Sequence, residues 1–488
     1  MSVIKKGVCE TIFVIVLIIT GYTLGQTSAR VPSSILTMKG TTLYVGGSGP
    51  GNYTRIQDAI DNASDGNTIF VYDESSPYYE HIEINKTITL LGENRETVLI
   101  DSYGEDDVIY IDADEVTISG FSIQNSENHD EHYGIEIHSA KNTILGNILL
   151  DNYIGIFIDD AGQNTIEGNI FLNNENGLAV HADKNRVCDN KFFNDGMSVS
   201  SFENCIFNNT INYKPLIYLE DQRNVLIDSP VGQIILVNCE NITITGRHIT
   251  NTRNAIQLSY CTHCLIHHNE ISLCHAGIHL SGSNNNTLLS NTFSSNTEYG
   301  IRLYSSHRNL IENNYCLENR YGSYWCLGIS LYCSSNNSIQ RNVLLKNGVG
   351  IGCSYACDNL LHQNYIDSNY YHGIKLEYSS ENTVISGNKL RDNKRGITCQ
   401  DISYTSITNN TFDSNDCDVL LDIIQFYTFN VRMLPEIDGN YWDRERYLPK
   451  CIPGTLTFVY MDVPYGGYVC LRCVYRDWHP ASEPIDIP

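Results

Sequence analysis

The chain has 488 residues, of which 56 are acidic and 31 are basic, so its formal net charge is −25. That charge disfavours nucleic acid and anionic membrane surfaces as partners, because the phosphate attraction on which such binding depends would become repulsion. Divalent cations and polar neutral polymers remain compatible with it.

The first 29 residues have the layout of a secretory signal peptide. Lys5 and Lys6 precede an apolar core from Ile12 to Ile19, and small or polar residues follow as far as Ala29. The apolar core is short for a bilayer span, although Gly21 to Leu24 could extend it into an uncleaved anchor. We therefore expect a secreted, periplasmic or cell-surface protein whose mature chain has no integral membrane span.

A short helix is predicted near the start of the mature chain. Thr54 and Gln57 have the spacing of a capping box, and Gly66 ends the helical pattern. The apolar positions of this segment lie on one helical stripe, which consists of Ile56, Ala59, Ile60 and Ala63. We expect this helix to cover the open N-terminal end of the fold that follows.

One sequence pattern recurs about every 22 residues from Asn142 to Thr411. Each unit has asparagines separated by short alternating apolar stretches and then the motif Gly-Ile-x-Leu or a close variant, as in NTILGNILLDNYIGIFI. Short strands with a polar residue at each corner and no helical spacing indicate a β-solenoid with three strands per coil. We predict a solenoid over residues 41–433, with about 15 coils.

Two sets of residues should build the interior and the corners of this solenoid. The apolar residues of each Gly-Ile-x-Leu strand, such as Ile278 and Leu280, should face inward and stack on the next coil. Asparagine tolerates the left-handed backbone of tight corners and can bond to the asparagine of the next coil, so asparagine ladders are expected. These structural roles explain most of the asparagine without any function.

Residues that alternate with the inward ones form outward rows in which functional side chains could converge. On one row His138, Asp159 and His181 should lie one above another on successive coils, with Glu136 beside His138. Two imidazoles around a carboxylate could act as acid and base on a sugar, or could bind a divalent metal. An ordinary polar strand face explains the same residues.

A second outward surface combines hydrogen-bonding and aromatic groups. Its members are Gln257, His279, Arg302, Tyr304 and Tyr332. Aromatic rings beside hydrogen-bond donors suit a saccharide, whose ring faces are apolar and whose rim carries hydroxyls. A solvated strand face is the alternative explanation. We predict that these residues, together with Glu136, bind a substrate.

A third cluster combines cysteine and histidine. Cys261, Cys264, His267 and His275 offer ligands for zinc or copper. A disulfide or buried thiols explain the cysteines more simply, because an exported chain can oxidise the 16 cysteines that remain when Cys9 is removed with the signal. A divalent metal cofactor, whether copper, zinc or calcium, stays open at this point.

The period is lost near residue 434, and the tail 434–488 is predicted to fold over the last coil as a cap. Its GTLTFVYMDVP and GGYVCLRCVY segments have the alternation of a hairpin. Cys451, Cys470, Cys473 and His479 in this tail either staple the cap or form a weak metal site.

Segments in three parts of the chain carry a family resemblance: TLYVGGSGPGNYTRIQDAIDNASDGNTIFV near the start, NTINYKPLIYLEDQ with GQIILVNCENITI in the middle, and GNYWDRERYLPK with DWHPASEPIDIP at the end. They resemble exported NosD-like proteins with parallel β-helix repeats. The resemblance implies an all-β, right-handed parallel β-helix of the type shared by carbohydrate-binding proteins and sugar hydrolases. The name-giving member of that family is associated with copper delivery to a reductase, but fold alone does not carry function.

Three functional hypotheses follow. The first is an exported protein that binds, and in a stronger form processes, polysaccharide or cell-surface glycan; as an enzyme it would be a polysaccharide lyase or glycoside hydrolase. The GHG and R-I-K pieces of pectin hydrolases are absent from the sequence, and no acidic cluster accompanies the arginine and lysine of the outward row. The second hypothesis is NosD-like handling of copper or another metal. The third is a structural cell-surface spacer.

Overall fold

The computed structural model describes residues 40–104, 106–126, 132–320, 326–400, 404–426, 436–442, 450–460, 467–477 and 481. The predicted signal peptide, residues 1–29, lies outside these ranges, as do His479 and the side chains of Cys451, Cys470 and Cys473. Within the described ranges, no helix is long and apolar enough to cross a membrane.

The described chain is a right-handed parallel β-helix of about 17 turns, which confirms the predicted fold class. The sequence estimate of about 15 coils is slightly low. Segments outside the clear repeat, such as Leu99–Asp101 and Cys205–Phe207, also form strands that pair in register with a neighbouring coil.

The helix expected near the N-terminus spans Ile56–Asn62, and a 3-10 helix follows at Asp73–Ser75. Ile56, Ala59 and Ile60 are buried, so the predicted apolar stripe is confirmed. The predicted capping box is wrong, because the helix start has no side-chain cap from its own segment. Instead the Glu80 carboxylate of the next coil accepts hydrogen bonds from the backbone N–H groups of Ile56, at 2.9 Å, and Gln57, at 3.1 Å.

The first solenoid spans residues 42–211 and has three parallel sheets, which we call A1, B1 and C1. Sheet A1 consists of Thr42–Val45, Thr68–Val71, Thr89–Gly92, Thr117–Ser119, Thr143–Leu145, Thr165–Glu167, Arg186–Cys188 and Cys205–Phe207. Sheet B1 consists of Tyr78–Tyr79, Leu99–Asp101, Ser122–Gln124, Ile148–Leu150, Ile170–Leu172, Lys191–Phe193 and Thr210–Ile211. Sheet C1 consists of Ile82–Ile84, Ile109–Ile111, Tyr133–Ile137, Ile154–Ile158, Asn176–Val180 and Met197–Val199.

The second solenoid begins at Lys214 and has the corresponding sheets A2, B2 and C2. Sheet A2 consists of Leu226–Ile227, Thr243–Thr245, Leu265–His267, Thr287–Leu289, Leu310–Glu312, Ser338–Gln340, Leu360–His362, Val384–Ser386, Ser406–Thr408 and Glu436–Asp438. Sheet B2 consists of His248–Thr250, Glu270–Ser272, Thr292–Ser294, Tyr315–Leu317, Val343–Leu345, Tyr365–Asp367, Lys389–Arg391, Thr411–Asp413 and Tyr441–Trp442. Sheet C2 consists of Lys214–Glu220, Gln233–Val237, Asn254–Ser259, Ala276–Ser281, Tyr299–Tyr304, Leu327–Tyr332, Val349–Ser354, His372–Glu377, Arg395–Gln400, Cys417–Phe426, Lys450–Tyr460 and Gly467–Asp477.

The C-terminal part continues the coils before it closes them. Glu436–Asp438 and Tyr441–Trp442 still pair in parallel with the preceding coil, so the solenoid register extends past residue 433. Lys450–Tyr460 and Gly467–Asp477 pair antiparallel, which confirms the predicted hairpin.

Ladders of buried asparagine run along the corners, as predicted. The side-chain Oδ1 of Asn342 accepts the backbone N–H of Asn314 at 2.9 Å, and the Asn342 N–H donates in turn to Asn364 Oδ1 at 3.0 Å. The Asn342 Nδ2 group donates to the carbonyl of Ile311 at 2.9 Å. Each ladder therefore satisfies buried backbone groups that the corners remove from the strand pairing.

The glycine of the Gly-Ile-x-Leu motif is explained by the close approach of successive coils. A Cβ atom added at Gly300 would lie 2.6 Å from the carbonyl oxygen of Gly328, and one added at Gly328 would lie 2.8 Å from that of Gly350. A side chain does not fit at this distance, so the repeat requires a residue without one.

The two solenoids meet at strands with apolar residues on both faces. On Gln233–Val237, Ile234 and Leu236 pack in the core of the second solenoid, whereas Ile235 and Val237 pack in the core of the first. The chain reverses direction just before this wall, since Thr210–Ile211 pairs antiparallel with the start of Lys214–Glu220. The end of the first solenoid therefore rests against the outer face of sheet C2, and we call this contact the junction.

Two glutamine side chains at the junction cover the free edge of the last C1 strand. Gln233 Oε1 accepts the Met197 N–H at 3.1 Å, and its Nε2 donates to the Met197 carbonyl at 2.7 Å. Gln257 bonds in the same two ways to the N–H and carbonyl of Val199. A side-chain amide thus replaces the peptide group that another strand would provide.

Candidate functional site

A groove of about 690 Å³ opens on the first solenoid and extends to the junction. It is lined by Tyr103, Gly104, Asn125, Ser126, Asp151, Asn152, Tyr153, Asn173, Asn174 and Glu175. The lining consists of amides, hydroxyls, two carboxylates and two aromatic rings, and no lysine or arginine is among these described residues. Such a surface can exchange hydrogen bonds with a polar, uncharged ligand.

The groove is built on the corners of successive coils. Asn152 and Asn174 are consecutive members of an asparagine ladder, with Asn152 Nδ2 donating to Asn174 Oδ1 at 3.1 Å. Tyr153 directly follows Asn152, and Glu175 directly follows Asn174, so both stand just before a strand of sheet C1. Tyr103 is stacked on Tyr79, with ring centroids 4.2 Å apart, yet it remains 66% exposed.

Glu175 connects the groove to a charged cluster on the second solenoid. Its Oε1 lies 2.7 Å from Arg253 and 3.4 Å from His275 Nε2, and that same Nε2 lies 3.0 Å from Glu298 Oε2. The hydrogen bond from His275, with the nearby Arg253, lowers the pKa of Glu175 to about 2. Arg253 and His275 therefore both face the carboxylate of Glu175.

The sequence did not single out Glu175, Arg253 or Glu298. Each of them directly precedes a strand of sheet C1 or C2, which is the corner position that the groove uses. Comparing the residues at this corner position along the repeats would have identified all three. Their proximity could not be predicted in this way, because it depends on the contact between the two solenoids, which lies outside the repeat pattern.

The predicted substrate-binding residues divide between the junction and an open face. Gln257 is only 4% exposed and binds Val199, because the first solenoid ends on this part of sheet C2. His279 lies beside the charged cluster, and its Nε2 is buried with no hydrogen-bond partner among the described residues. Burial, together with the positive charges of Arg302 and Arg253, lowers the pKa of His279 to about 3, so its imidazole is neutral.

Tyr304 and Tyr332 belong to an exposed row of tyrosines along the edge of sheet C2. Their rings are stacked with centroids 5.6 Å apart and planes within 5°, and Tyr355 and Tyr378 stack similarly at 5.3 Å. Since stacked neighbours cover much of each other's ring faces, this row presents mainly ring edges and hydroxyls to solvent.

The column His138, Asp159 and His181 occupies equivalent positions on three successive coils, because the residues before them pair in register. His138 Nε2 lies 2.8 Å from Glu136 Oε1. Partial desolvation lowers the pKa of His181, and the negative charge of Asp159 opposes that effect.

A buried carboxyl that the sequence did not reveal lies beside this column. Burial, reinforced by a hydrogen bond with Glu136, raises the pKa of Asp107 to about 8. Asp107 also lies near Asp106 and His132, and these three residues offer ligand atoms within 4.8 Å of one another. A protonated Asp107 carboxyl can lie beside neighbouring carboxyl groups without an ion.

The four predicted metal ligands do not converge. Cys261 and Cys264 are neighbours, but His267 lies against His268 on the surface, with their Nδ1 atoms 2.7 Å apart. His275 belongs to the charged cluster at the junction. A further thiol, that of Cys239, is hydrogen-bonded to Cys261. No two of the cysteines that the structure describes lie at disulfide distance, so the expected disulfides are not seen in that part of the chain.

The sequence matches one family model in three overlapping stretches, residues 60–232, 215–369 and 323–446. The family is described as periplasmic copper-binding protein (NosD). No curated protein matches the chain.

Three of the solved structures with a similar backbone fold are described here. A mutant of the periplasmic alginate epimerase AlgG is 12% identical over 74% of this chain and 84% of its own, with a TM-score of 0.36. DFA-IIIase from Arthrobacter chlorophenolicus A6 is 12% identical over 73% and 78%, with a TM-score of 0.33. PfbA, a surface adhesin of Streptococcus pneumoniae, is 14% identical over 75% and 87%, with a TM-score of 0.31. TM-scores this low do not support transfer of function.

Proposed function

This chain belongs to the NosD family, described as periplasmic copper-binding proteins, and we propose that its principal function is to bind a neutral glycan in the groove beside the junction. The observation that carries the proposal is the lining of the groove, in which two aromatic rings stand among amides and hydroxyls. Export to the periplasm or cell surface, where such polymers occur, is part of the proposal.

The charges of the site favour a neutral polymer over an acidic one. Asp151 and Glu175 line the groove, and the neighbouring side chains of Arg253 and His275 already face the carboxylates of Glu175 and Glu298. The net charge of −25 would repel an anionic polymer. The described residues that line the groove include no lysine or arginine to offset this repulsion. A neutral sugar can place its ring face on Tyr103 or Tyr153 and its hydroxyls on the asparagines.

Affinity electrophoresis tests this proposal. The mature protein migrates through gels that contain neutral glucans, mannans or galactans, or the acidic polymers pectate and alginate. We expect a neutral polymer to retard the wild type, and the variant Tyr103→Ala/Tyr153→Ala to lose the retardation while Tyr304→Ala/Tyr332→Ala keeps it. If no neutral polymer retards the wild type, the proposal that the protein binds a neutral glycan is wrong.

Two further outcomes would show that the polymer binds at a different surface. Loss of retardation only in Tyr304→Ala/Tyr332→Ala would locate binding on the tyrosine row of sheet C2. Loss only in His138→Ala/His181→Ala would locate it on the outward face of sheet C1 and would justify a search for cleavage products. Either result contradicts the groove as the binding site.

Copper handling is the second candidate function, and two observations favour it. The family is described as copper-binding, and the thiol of Cys261 is hydrogen-bonded to the thiols of Cys239 and Cys264 in the second solenoid. Thiolate sulfur is the donor that Cu(I) prefers in proteins, but these three sulfurs do not all lie within 4.8 Å of one another, so they do not by themselves form a complete metal site. If the protein binds neither glycan nor copper, the remaining hypothesis is a structural spacer.

A further inference from the structure

The groove beside the junction follows the corners of four successive coils. The strands that precede its lining residues pair in register, one on each coil; these are Leu99–Asp101, Ser122–Gln124, Ile148–Leu150 and Ile170–Leu172. Two residues after the end of each strand stands a lining residue, namely Tyr103, Ser126, Asn152 or Asn174. Because neighbouring coils lie about 4.8 Å apart, the lining extends about 14 Å along the solenoid axis. A polymer that fills the groove therefore runs along this axis.

The second solenoid closes the groove at one end. On the next coil the corner continues with Asp195, which accepts the Asn174 N–H at 3.2 Å and is 1% exposed. Gly196 follows Asp195, and it corresponds to Glu175 on the preceding coil. Gly196 is buried, and a Cβ atom added there would lie 2.9 Å from Gln233 Oε1 of the second solenoid. The corner row therefore passes beneath the junction directly after Glu175 and leaves no space there for a ligand.

Polar side chains from both solenoids form the closed end. Glu175 lines the groove, and its side chain stays 41% exposed although Arg253 and His275 contact it from the second solenoid. The closed end therefore offers a carboxylate acceptor beside a guanidinium and an imidazole group. A sugar at the end of a glycan chain has a free hydroxyl where an internal sugar carries the next linkage. That hydroxyl can donate a hydrogen bond to the carboxylate.

The opposite end of the groove is open. Tyr103 is 66% exposed there, and it stacks on Tyr79, which is 50% exposed. These two rings continue the surface of the groove away from the junction. The remaining sugars of a bound chain can leave over them, because the apolar faces of sugar rings suit exposed aromatic side chains.

We infer that the groove binds the ends of neutral glycan chains, with the terminal sugar beside Glu175 and the rest of the chain leaving over Tyr103. An internal segment would have to continue past Glu175, where the second solenoid occupies the corner at Gly196. The inference rests on the proposed function of glycan binding, and it names the part of the polymer that is recognised.

Competition between long and short chains tests the inference on the wild-type protein. The neutral polymer that retards the protein is partly hydrolysed to fragments that remain longer than the groove, so that the same mass carries many more ends. Polymer and fragments then compete, as free ligands, with the polymer held in the gel. Because binding to ends depends on their molar concentration, the mass needed for half-maximal competition should fall about tenfold for about ten times as many ends.

Two other outcomes separate this inference from the proposed function. Equal competition by equal masses of polymer and fragments would show that internal segments bind, and would overturn the inference while glycan binding stands. Absence of retardation by every neutral polymer would overturn the proposed function, and the inference with it.

A variant tests the position of the terminal sugar. Glu175→Gln should weaken binding of the fragments about tenfold, because an ionised carboxylate is a stronger hydrogen-bond acceptor than an amide. The matched control Glu203→Gln removes the same charge from an exposed ion pair with Lys184, at 3.6 Å, and should bind as the wild type does. Unchanged binding by Glu175→Gln would contradict the placement of the terminal sugar beside this residue.

Discussion

Replacing Gln233 by methionine should weaken the junction without changing its volume. The variant loses the hydrogen bonds from Met197 N–H, to the Met197 carbonyl and to the Asn254 carbonyl, the last at 2.8 Å. Gln233 is fully buried, so water does not readily replace its amide. Each buried backbone group that is left without a partner costs about 1–3 kcal/mol of stability. Because the structure can relax in part around the three affected groups, we expect the free energy of unfolding to fall by roughly 3 kcal/mol in total.

Guanidinium unfolding measures this loss, and hydrogen exchange locates it at the Met197–Val199 strand, whose amide protection should fall. The matched control is Gln222→Met, because Gln222 is exposed and its amide bonds only to the Glu220 carbonyl at 3.0 Å among the contacts described. This control should stay within about 0.5 kcal/mol of the wild type. An unchanged stability and unchanged protection in Gln233→Met would refute the role assigned to the glutamine amides.

Three further predictions concern the coils. Asp195 occupies an asparagine position, accepting from Asn174 Nδ2 at 2.8 Å, and burial raises its pKa to about 8. Because this folded-state pKa exceeds the unfolded value, the contribution of Asp195 to stability is complete below pH 4 and is lost as pH rises toward 8. Asp195→Asn should flatten the dependence of the melting temperature on pH and stabilise the protein at pH 8 by roughly 2 kcal/mol; an unchanged pH profile would contradict this. Asn342→Ala should lower the free energy of unfolding by roughly 3 kcal/mol, measured by guanidinium denaturation, since it leaves buried groups on neighbouring coils unpaired; a loss below 0.5 kcal/mol would count against the ladder's role. Gly373→Ala, whose added Cβ would lie 2.7 Å from the Gly396 carbonyl oxygen, should cost roughly 2–4 kcal/mol in the same assay, and a neutral result would show that the coils can separate there.

Periodicity predicts the coils well because each coil repeats the same contacts with its neighbours. The inward positions of Ile278 and Leu280, the asparagine ladders and the C-terminal hairpin all follow from alternation and spacing. The junction does not follow, since Gln233–Val237 alternates like any other strand although both of its faces are buried. Nothing in the spacing of residues indicates that a second core lies on the outer side.

The same limit applies to the candidate sites. His138, Asp159 and His181 could be aligned from the repeat because they occupy one position on successive coils. Glu175 and Arg253 could not be paired, because they are 78 residues apart and belong to different solenoids. Likewise, Cys239 stands one coil before Cys261 in a stretch where the repeat is blurred, so the contact between these two residues was not predicted.

The shared wall of the junction has a consequence for the order in which the chain is made. A ribosome delivers the N-terminal coils first, so the end of the first solenoid, with Val199 and Ile211 in its core, must wait for residues 214–237 before it is covered. During that interval the strand edge at Met197–Val199 also lacks its glutamine partners. A nascent chain paused in this window would present a template for pairing with other chains. Uninterrupted synthesis, or a chaperone that binds this end, would therefore matter more here than at any corner within a solenoid.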